Sequence, residues 1–240
     1  MIKAVVFDLD DTLISEKEYV LSGFKTVSKD ISFKYNLNFE KVYEKMIVLF
    51  NESSQRVFDR ILESFDIEYS KEDIVNLISI YRRHEPKIKF YDDVMPTIDK
   101  LKQIGIKIGI ITDGYKETQR RKIKALRCED LFDEIIVTDE LGREFWKPHE
   151  KAYRIIAEKL DVKLHEMIYV GDNDTKDFIG ANGLNINTVK INRLNGIYRN
   201  LNLSEEFKAK YEIGDIVDLI KLIREEERVN DEKNIIYNYC

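Results

Sequence analysis

Cysteine is scarce in this sequence. Its 240 residues include two cysteines, Cys128 and Cys240, which lie far apart and form no Cys-x-x-Cys pair. Without such spacing, the chain offers no basis for a disulfide framework or a zinc knuckle. We therefore expect both cysteines to be free thiols in a reducing cytoplasm.

Long apolar runs and a surplus of positive charge are missing as well. No apolar run approaches the roughly 20 residues that a membrane-spanning helix needs, and the first residues lack the apolar stretch of a signal peptide. We therefore expect a cytoplasmic protein without a membrane partner. The 39 lysines and arginines are outnumbered by 45 acidic residues, which gives a formal net charge of -6. Because nucleic-acid affinity depends on clustered positive charge, we expect no nucleic-acid partner.

Most of the chain alternates between short apolar runs and amphipathic segments. The β-branched run at residues 2–7 is typical of a buried strand, and it ends at a cluster of carboxylates. After Pro86 the pattern predicts strands at residues 106–111, 134–138, 167–170 and 186–190, and helices at 94–103, 116–126, 149–160, 176–181 and 216–223. This alternation is typical of a doubly wound, Rossmann-like α/β fold, in which helices cover both faces of a parallel sheet.

Residues 15–90 interrupt the alternation. Apolar residues recur there at helical spacing in four segments, within residues 20–31, 39–50, 57–65 and 74–81. Apolar stripes must bury against one another, so we expect an inserted helical bundle. The predicted domains are an α/β core of residues 1–14 and 91–240 and a helical domain of residues 15–90. The charged residues 224–240 are expected to form a fraying helix and a loose tail.

Polar side chains follow the predicted strands where each strand ends. Asp8 and Asp10 come after the first strand, Thr112 and Asp172 close two later strands, and Lys147 precedes a helix. In an open parallel sheet the ligand crevice lies beyond these carboxyl ends. Two like charges about 4 Å apart cost roughly 4 kcal/mol at an effective dielectric of about 20, so we expect a cation among the acids. Carboxylate and carbonyl oxygens without His or Cys nearby favour Mg²⁺.

The segments at these positions resemble the four sequence motifs of the haloacid dehalogenase superfamily, in the same order. They are VVFDLDDT at residues 5–12, IITDG at 110–114, WKPH at 146–149 and GDNDTKD at 171–177. The resemblance covers residues 1–14 and 91–190. The inserted helices resemble the helical cap that closes over the cleft in that superfamily.

The resemblance implies a reaction through a covalent intermediate. Asp8 would be the nucleophile that attacks phosphorus to give an aspartyl-phosphate. Asp10 would protonate the leaving group and then activate the hydrolytic water, and this acid favours a phosphatase because dehalogenases, phosphonatases and P-type ATPases lack it. Lys147 would balance the negative charge of Asp8 and the phosphate. Asp177 would orient Lys147 or the waters of the metal ion.

The resemblance also implies how the metal ion and the phosphoryl group are held. Mg²⁺ would be bound by the carboxylates of Asp8 and Asp172 and by the backbone carbonyl of Asp10. The side chain of Thr112 and the backbone N–H of Asp113 would donate hydrogen bonds to the phosphoryl oxygens. Lys147 would contribute its charge to the same binding site.

Five further residues lie in or near the motifs. Asp113 stands where related phosphatases often have Asn, so its carboxylate either lies near the phosphate or points away toward the leaving group. Asp93 stands where relatives often have Gly, and we expect it to alter only a turn. Asp174 is expected to cap the next helix rather than to bind the metal ion. His149 is expected to be a helix-start residue without a catalytic role, and Trp146 to pack beside the cleft.

The leading expectation is a Mg²⁺-dependent phosphatase acting on a small soluble phosphomonoester, such as a sugar phosphate or a nucleoside monophosphate. A helical cap favours small metabolites over phosphoproteins. One alternative is a phosphomutase of the β-phosphoglucomutase kind, which uses the same pair of aspartates, and another is a regulatory protein on a retired catalytic fold. The oligomeric state is open. Cations of the inserted helices that could meet an anionic substrate are Lys17, Arg56, Arg60, Arg82 and Arg83.

Overall fold

A parallel sheet forms the centre of the protein. The computed structural model describes residues 1–194 and 203–225. The strands are β1 (Ala4–Phe7), β2 (Lys107–Thr112), β3 (Glu134–Val137), β4 (Met167–Gly171), β5 (Asn187–Ile191) and β6 (Tyr211–Ile213). All neighbours are parallel, in the order β3-β2-β1-β4-β5-β6. The predicted doubly wound α/β fold is confirmed.

The described α-helices fall into two groups. Those inserted between β1 and β2 are α1 (Glu16–Tyr35), α2 (Phe39–Glu52), α3 (Val57–Glu63) and α4 (Lys71–Arg83). Those that accompany the sheet are α5 (Val94–Gln103), α6 (Lys116–Ala125), α7 (Cys128–Leu131), α8 (Lys151–Lys159) and α9 (Ile179–Gly183). Within residues 1–194 and 203–225, none of the helices is long and apolar enough to cross a membrane.

The side chains of β1 alternate between two apolar cores, one on each face of the sheet. Val5 and Phe7 pack in the core that contains α5, whereas Ala4 and Val6 pack in the core that contains α8. Because both faces are covered, the strand is apolar along its whole length rather than at alternate positions. This burial fixes β1 in the middle of the sheet.

The inserted helices α1–α4, called the helical bundle below, have a separate apolar core. It is built from side chains of all four helices, such as Phe24, Met46, Ile61 and Leu77. The two segments that join the bundle to the sheet pair with each other through an antiparallel bridge between Ile14 and Phe90. The bundle therefore leaves and re-enters the α/β core at one place.

Several predicted elements differ from the observed ones. β6 was not expected because it is a three-residue edge strand in which only Ile213 is buried. The helix predicted at residues 176–181 starts later, at Ile179, because the preceding residues form a tight loop around Asp177. The helix predicted at 216–223 begins as a 3₁₀ turn, and helical residues 219–225 follow. Cys128 is buried and free, whereas Cys240 and most of the predicted tail lie outside the described residues.

Candidate active site

The carboxyl edge of the sheet brings together residues that are far apart in sequence. β1 lies between β2 and β4, and its last residue, Phe7, pairs with both neighbours. Asp8 therefore lies beside Thr112, the last residue of β2, and beside Asp172, which follows β4. All three side chains are buried. The direction of strand order reverses between β1 and β4, which is where doubly wound sheets bind their ligands.

Lys147 is a fully buried cation in contact with two carboxylates. Its Nζ lies 2.5 Å from Oδ1 of Asp8 and 2.7 Å from Oδ1 of Asp177. It also donates a hydrogen bond of 3.0 Å to the hydroxyl of Tyr169. Burial alone would lower the pKa of Lys147, but Asp177 and Asp8 outweigh burial and hold this pKa well above its ordinary value. Lys147 is therefore charged in the interior, and the structure brings three predicted site residues together.

Asp177 is held in place by several neighbours. Besides the ion pair with Lys147, its Oδ2 accepts a hydrogen bond of 3.0 Å from the backbone N–H of Asn173, and its Oδ1 accepts one of 3.2 Å from the hydroxyl of Tyr169. A β-carbon on Gly171 would lie 2.6 Å from Oδ2 of Asp177. The close packing of this loop therefore fixes the carboxylate that pairs with Lys147.

Three buried acids provide oxygens that could hold a metal ion. One carboxylate oxygen from each of Asp8, Asp172 and Asp177 lies within 4.8 Å of the other two. Oδ2 of Asp172 is buried and has no hydrogen-bond partner among residues 1–194 and 203–225. Burial raises the pKa of Asp172 to about 9, and Asp8, Asp177 and Asp11 act in the same direction. An unpartnered buried carboxylate oxygen is the kind of hard donor that fits a divalent cation.

The balance of buried charge supports the same interpretation. In the described part of the chain four aspartates are buried. Three of them are ion-paired with a lysine, Asp8 and Asp177 with Lys147 and Asp174 with Lys190. Asp172 is the buried aspartate without an ion pair in that part. A buried charge that lacks a partner is costly, so this carboxylate needs a cation to stay ionised near neutral pH.

Asp10 lies at the edge of the same site, where two side chains of α6 hold its carboxylate. Nζ of Lys122 lies 2.7 Å from each of its two oxygens. Nε2 of Gln119 donates a hydrogen bond of 2.9 Å to its Oδ2 and another to Oγ1 of Thr112. The Asp10 side chain is not among the acids that could hold a metal ion, and its predicted contribution is the backbone carbonyl.

Sequence reasoning missed Gln119 and Lys122, although the sequence contains a signal for them. Ile123 follows Gln119 by four residues, and Leu126, the residue that caps the end of α6, follows it by seven, with Lys122 three residues after Gln119. This spacing marks the face of a helix that packs against the core. A lysine and a glutamine on that face must find polar partners inside, and here they find Asp10.

The carboxylate of Asp113 links two loops through its hydrogen bonds. Its Oδ1 accepts a hydrogen bond of 2.7 Å from the hydroxyl of Thr138 and one of 3.2 Å from the backbone N–H of Lys147. Its Oδ2 lies 3.7 Å from Nζ of Lys176. The acid that replaces the usual Asn therefore connects the second motif to the loop that carries Lys147.

The expectation that Asp93 alters only a turn is wrong. Its Oδ2 forms an ion pair of 2.6 Å with Nη1 of Arg193 and accepts a hydrogen bond of 2.9 Å from the backbone N–H of Ile216. Arg193 in turn donates to the carbonyl of Thr12 at 2.7 Å and lies over the ring of Tyr91. Asp93 therefore helps to join the end of β5 to the segments that lead into and out of the helical bundle.

The expectation that Asp174 caps the next helix is also wrong. Asp174 forms a buried ion pair with Lys190, and α9 begins only at Ile179, where the side chain of the N-cap residue makes no capping bond. Asp174 is also outside the group of acids that could hold a metal ion. His149 lies at the exposed start of α8, and its Nδ1 accepts a hydrogen bond from the backbone N–H of Lys151.

The helical bundle touches the α/β core next to the site. Nζ of Lys122 lies 4.4 Å from the ring centre of Tyr19, and the guanidinium carbon of Arg82 lies 3.7 Å from the ring centre of Tyr115. Nε of Arg83 forms an ion pair of 3.0 Å with Oε1 of Glu117. Trp146 packs edge-on against Tyr115. Of the other predicted cationic residues, Arg56 and Arg60 bind acids of the bundle itself, and Lys17 is exposed. Of the five predicted cationic residues, Arg82 and Arg83 are therefore the ones with these contacts to the α/β core.

Comparison with known proteins agrees with the fold. Residues 5–191 match the family described as haloacid dehalogenase-like hydrolase. The chain is 29% identical over 235 residues to a glyceraldehyde 3-phosphate phosphatase of Methanopyrus kandleri, covering 94% of this chain and 98% of that one. It is 27% identical over 227 residues to the pyrophosphatase PpaX of Bacillus mycoides, covering 92% and 97%. A solved phosphatase of the superfamily from Thermococcus onnurineus superposes with a TM-score of 0.60 at 28% identity, covering 92% and 98%.

These matches extend over most of the chain. The chain belongs to the haloacid dehalogenase-like hydrolases. Within that superfamily it is an enzyme of the phosphatase branch, as the acid at position 10 predicts.

Proposed function

We propose that this phosphatase is Mg²⁺-dependent and hydrolyses a small phosphomonoester through an aspartyl-phosphate on Asp8. The observation that carries the proposal is the buried ion pair of Asp8 and Lys147 beside the unpartnered carboxylate of Asp172. It combines a nucleophile, a fixed positive charge and an unpartnered carboxylate oxygen at the switch point of the sheet.

In the first step Asp8 attacks phosphorus opposite the leaving oxygen. The bond from phosphorus to that oxygen breaks, and Asp10, which is protonated at this stage, donates its proton to the departing alkoxide. Lys147 offsets the charge of Asp8 and of the phosphoryl group from the interior side, while Thr112 and the backbone N–H of Asp113 donate to the phosphoryl oxygens.

In the second step Asp10, now a carboxylate, accepts a proton from a water molecule that attacks the same phosphorus. The bond between phosphorus and the Asp8 oxygen breaks, inorganic phosphate leaves, and Asp8 is a carboxylate again. Mg²⁺, held by the carboxylates of Asp8 and Asp172 and by the backbone carbonyl of Asp10, would neutralise negative charge on the phosphoryl oxygens. Asp177 keeps Lys147 in position throughout.

The relatives suggest where to look for the substrate. One is named for glyceraldehyde 3-phosphate and is similar along its whole length, so a triose phosphate is the first candidate. Cation–π contacts place Arg82 at the boundary between bundle and core, where it can meet a second polar group of such a molecule. A second candidate is pyrophosphate, because another full-length relative is a pyrophosphatase.

The test is release of inorganic phosphate from glyceraldehyde 3-phosphate, other sugar phosphates, nucleoside monophosphates and pyrophosphate, with Mg²⁺ and with EDTA. We expect release that requires Mg²⁺ and that Asp8→Asn reduces by about three orders of magnitude or more, because the nucleophile is lost. Asp92→Asn is the matched control, since Asp92 is exposed and lies outside the site, and it should leave the rate unchanged. A folded Asp8→Asn protein that keeps more than about 5% of the rate would remove Asp8 as the nucleophile.

A further inference from the structure

Two buried polar side chains of α6 contact Asp10, and nothing in the four motifs accounts for them. Gln119 is 1% exposed and Lys122 is 2% exposed. Lys122 reaches both oxygens of Asp10 at 2.7 Å, and Gln119 reaches one of them at 2.9 Å. A side chain held at three points has a fixed position and a fixed plane.

The same lysine is covered by the helical bundle. The ring of Tyr19, which is 3% exposed, lies 4.4 Å from Nζ of Lys122. The ammonium group is thereby enclosed between a carboxylate of the core and an aromatic ring of α1. Burying a lysine is costly unless it is paired, and an exposed lysine could not hold one orientation as well. Burying Lys122 therefore costs free energy, and a lysine that served only to keep the surface soluble would not be buried here.

Gln119 connects this arrangement to the predicted phosphate site. Its Nε2 donates to both Asp10 and Oγ1 of Thr112. One amide group thus sets the distance between the carboxylate that transfers protons and the hydroxyl that is to bind the phosphoryl group. Proton transfer requires this kind of placement, because the carboxylate must come within hydrogen-bond reach of the leaving oxygen and later of water.

We propose that Lys122, together with Gln119, is a positioning residue that aims the carboxylate of Asp10 at the reacting oxygens. The inference rests on the proposed function, in which Asp10 transfers the protons. It assigns to α6 a part in the reaction that does not involve contact with the substrate.

The second step depends most on this placement. A leaving group is held by the rest of the substrate, whereas the attacking water is held mainly by the group that accepts its proton. With p-nitrophenyl phosphate the first step needs little protonation, since nitrophenolate is a stable leaving group. A misplaced Asp10 should then allow Asp8 to be phosphorylated and should slow only the hydrolysis of the aspartyl-phosphate.

The experiment is rapid-mixing kinetics with p-nitrophenyl phosphate on Lys122→Met, with phosphorylated Asp8 measured by mass after acid quenching. We expect kcat to fall about 10- to 100-fold, with a burst of nearly one nitrophenolate per active site and accumulation of phosphorylated enzyme. Lys124→Met is the matched control, because Lys124 is an exposed lysine of the same helix, and it should behave as the wild type does. Lys122→Arg, which keeps the charge, should recover part of kcat.

A merely structural role gives a different result. If Lys122→Met only reduces the fraction of folded enzyme, burst amplitude and kcat fall in parallel and no phosphorylated enzyme accumulates, which would overturn the inference. A folded Lys122→Met protein with kcat within about twofold of the wild type would overturn it too. If Lys122→Met does not fold, Gln119→Met provides the same test without removing a charge.

Asp10→Asn separates this inference from the proposed function. If Asp10→Asn accumulates phosphorylated enzyme and the Lys122 and Gln119 variants do not, the proposed function stands and the positioning role is wrong. If Asp10→Asn turns over p-nitrophenyl phosphate at the wild-type rate, the proposed role of Asp10 itself is wrong.

Discussion

At the scale of single residues, Gly171 shows how a neighbouring side chain can determine residue identity. A β-carbon at this last position of β4 would lie 2.6 Å from Oδ2 and 2.7 Å from Cγ of Asp177. Asp177 cannot move freely, because its carboxylate oxygens are held by Lys147 and by the backbone N–H of Asn173. Glycine is therefore needed at position 171 because it leaves space for the Asp177 carboxylate that pairs with Lys147, and not because of its backbone flexibility.

We expect Gly171→Ala to lower kcat about 10- to 100-fold, because a displaced Asp177 no longer orients Lys147. The free energy of unfolding should fall by about 1–3 kcal/mol, as expected for an overpacked interior. Phosphate release and urea denaturation measure the two effects. Gly183→Ala is the control, since no atom lies within 4 Å of a β-carbon there. Normal activity in Gly171→Ala would show that Lys147 does not depend on the position of Asp177.

Residues at strand ends could be predicted from the sequence, whereas their partners from other elements could not. Asp8, Thr112 and Asp172 follow apolar runs, and parallel strands bring such positions to one edge. Lys122 contacts Asp10 across 112 residues of sequence. From the sequence one can predict only that Lys122 is a polar residue on an apolar face of a helix. The partner of such a residue depends on how α6 packs against the rest of the protein. The spacing of residues within one helix does not predict that packing.

At the scale of elements, strong periodicity gave correct bounds and weak periodicity did not. The helix predicted at residues 94–103 is α5 (Val94–Gln103), and the four strands predicted after Pro86 agree with β2 to β5 within a residue or two. β6 was missed because an edge strand with one buried side chain carries little apolar signal. The late start of α9 follows from side-chain contacts of Asp177, which override local helix preference.

Reciprocal hydrogen bonds between Ser70 and Asp73 stabilise the start of α4. Oγ of Ser70 accepts a hydrogen bond of 3.2 Å from the backbone N–H of Asp73, and Oδ2 of Asp73 accepts one of 2.9 Å from the backbone N–H of Ser70. This reciprocal pair is a capping box, which satisfies two N–H groups that the helix leaves unpaired. Asp73 also pairs with Lys34 of α1 at 2.7 Å, so the cap helps to join two helices of the bundle.

We expect Ser70→Ala to lower the free energy of unfolding by about 1 kcal/mol, because the backbone N–H of Asp73 loses its acceptor. Urea denaturation followed by circular dichroism measures this change. Activity should be normal, since the contacts of α4 with the α/β core are at its other end, at Arg82 and Arg83. Ser70→Thr keeps the acceptor and should lose much less stability; an equal loss in both variants would mean that capping is not the cause.

At the scale of the whole molecule, the candidate active site is a cluster of acidic groups that the fold brings together and that two lysines only partly compensate. Lys147 compensates Asp8 and Asp177, and Lys122 compensates Asp10. Within residues 1–194 and 203–225, Asp172 is the buried aspartate without an ion pair. Binding of a ligand to the folded state alone stabilises that state. A metal ion at Asp172 should therefore contribute to the stability of the protein as well as to the reaction.

The pH dependence of stability without metal follows from the raised pKa values of Asp172, about 9, and of Asp8, about 6. Above the ordinary value of 3.8, the unfolded chain has lost these protons while the folded protein keeps them. Unfolding then releases protons, so the free energy of unfolding falls as pH rises, by at most about 1.4 kcal/mol per pH unit for one proton. The part of this fall in the free energy of unfolding that is due to Asp8 ends near pH 6, and the part that is due to Asp172 continues to about pH 9.

Asp172→Asn removes the larger of these two contributions. In EDTA we expect the variant to lose less stability than the wild type between pH 6 and pH 9 and to be the more stable protein at pH 8, as measured by urea denaturation at each pH. Adding Mg²⁺ at pH 8 should raise the Tm of the wild type and leave that of Asp172→Asn nearly unchanged, because the variant has lost a charged ligand. Parallel pH profiles in EDTA would show that burial does not raise the pKa of Asp172 in the folded protein. An equal response of both proteins to Mg²⁺ would place the stabilising ion away from Asp172.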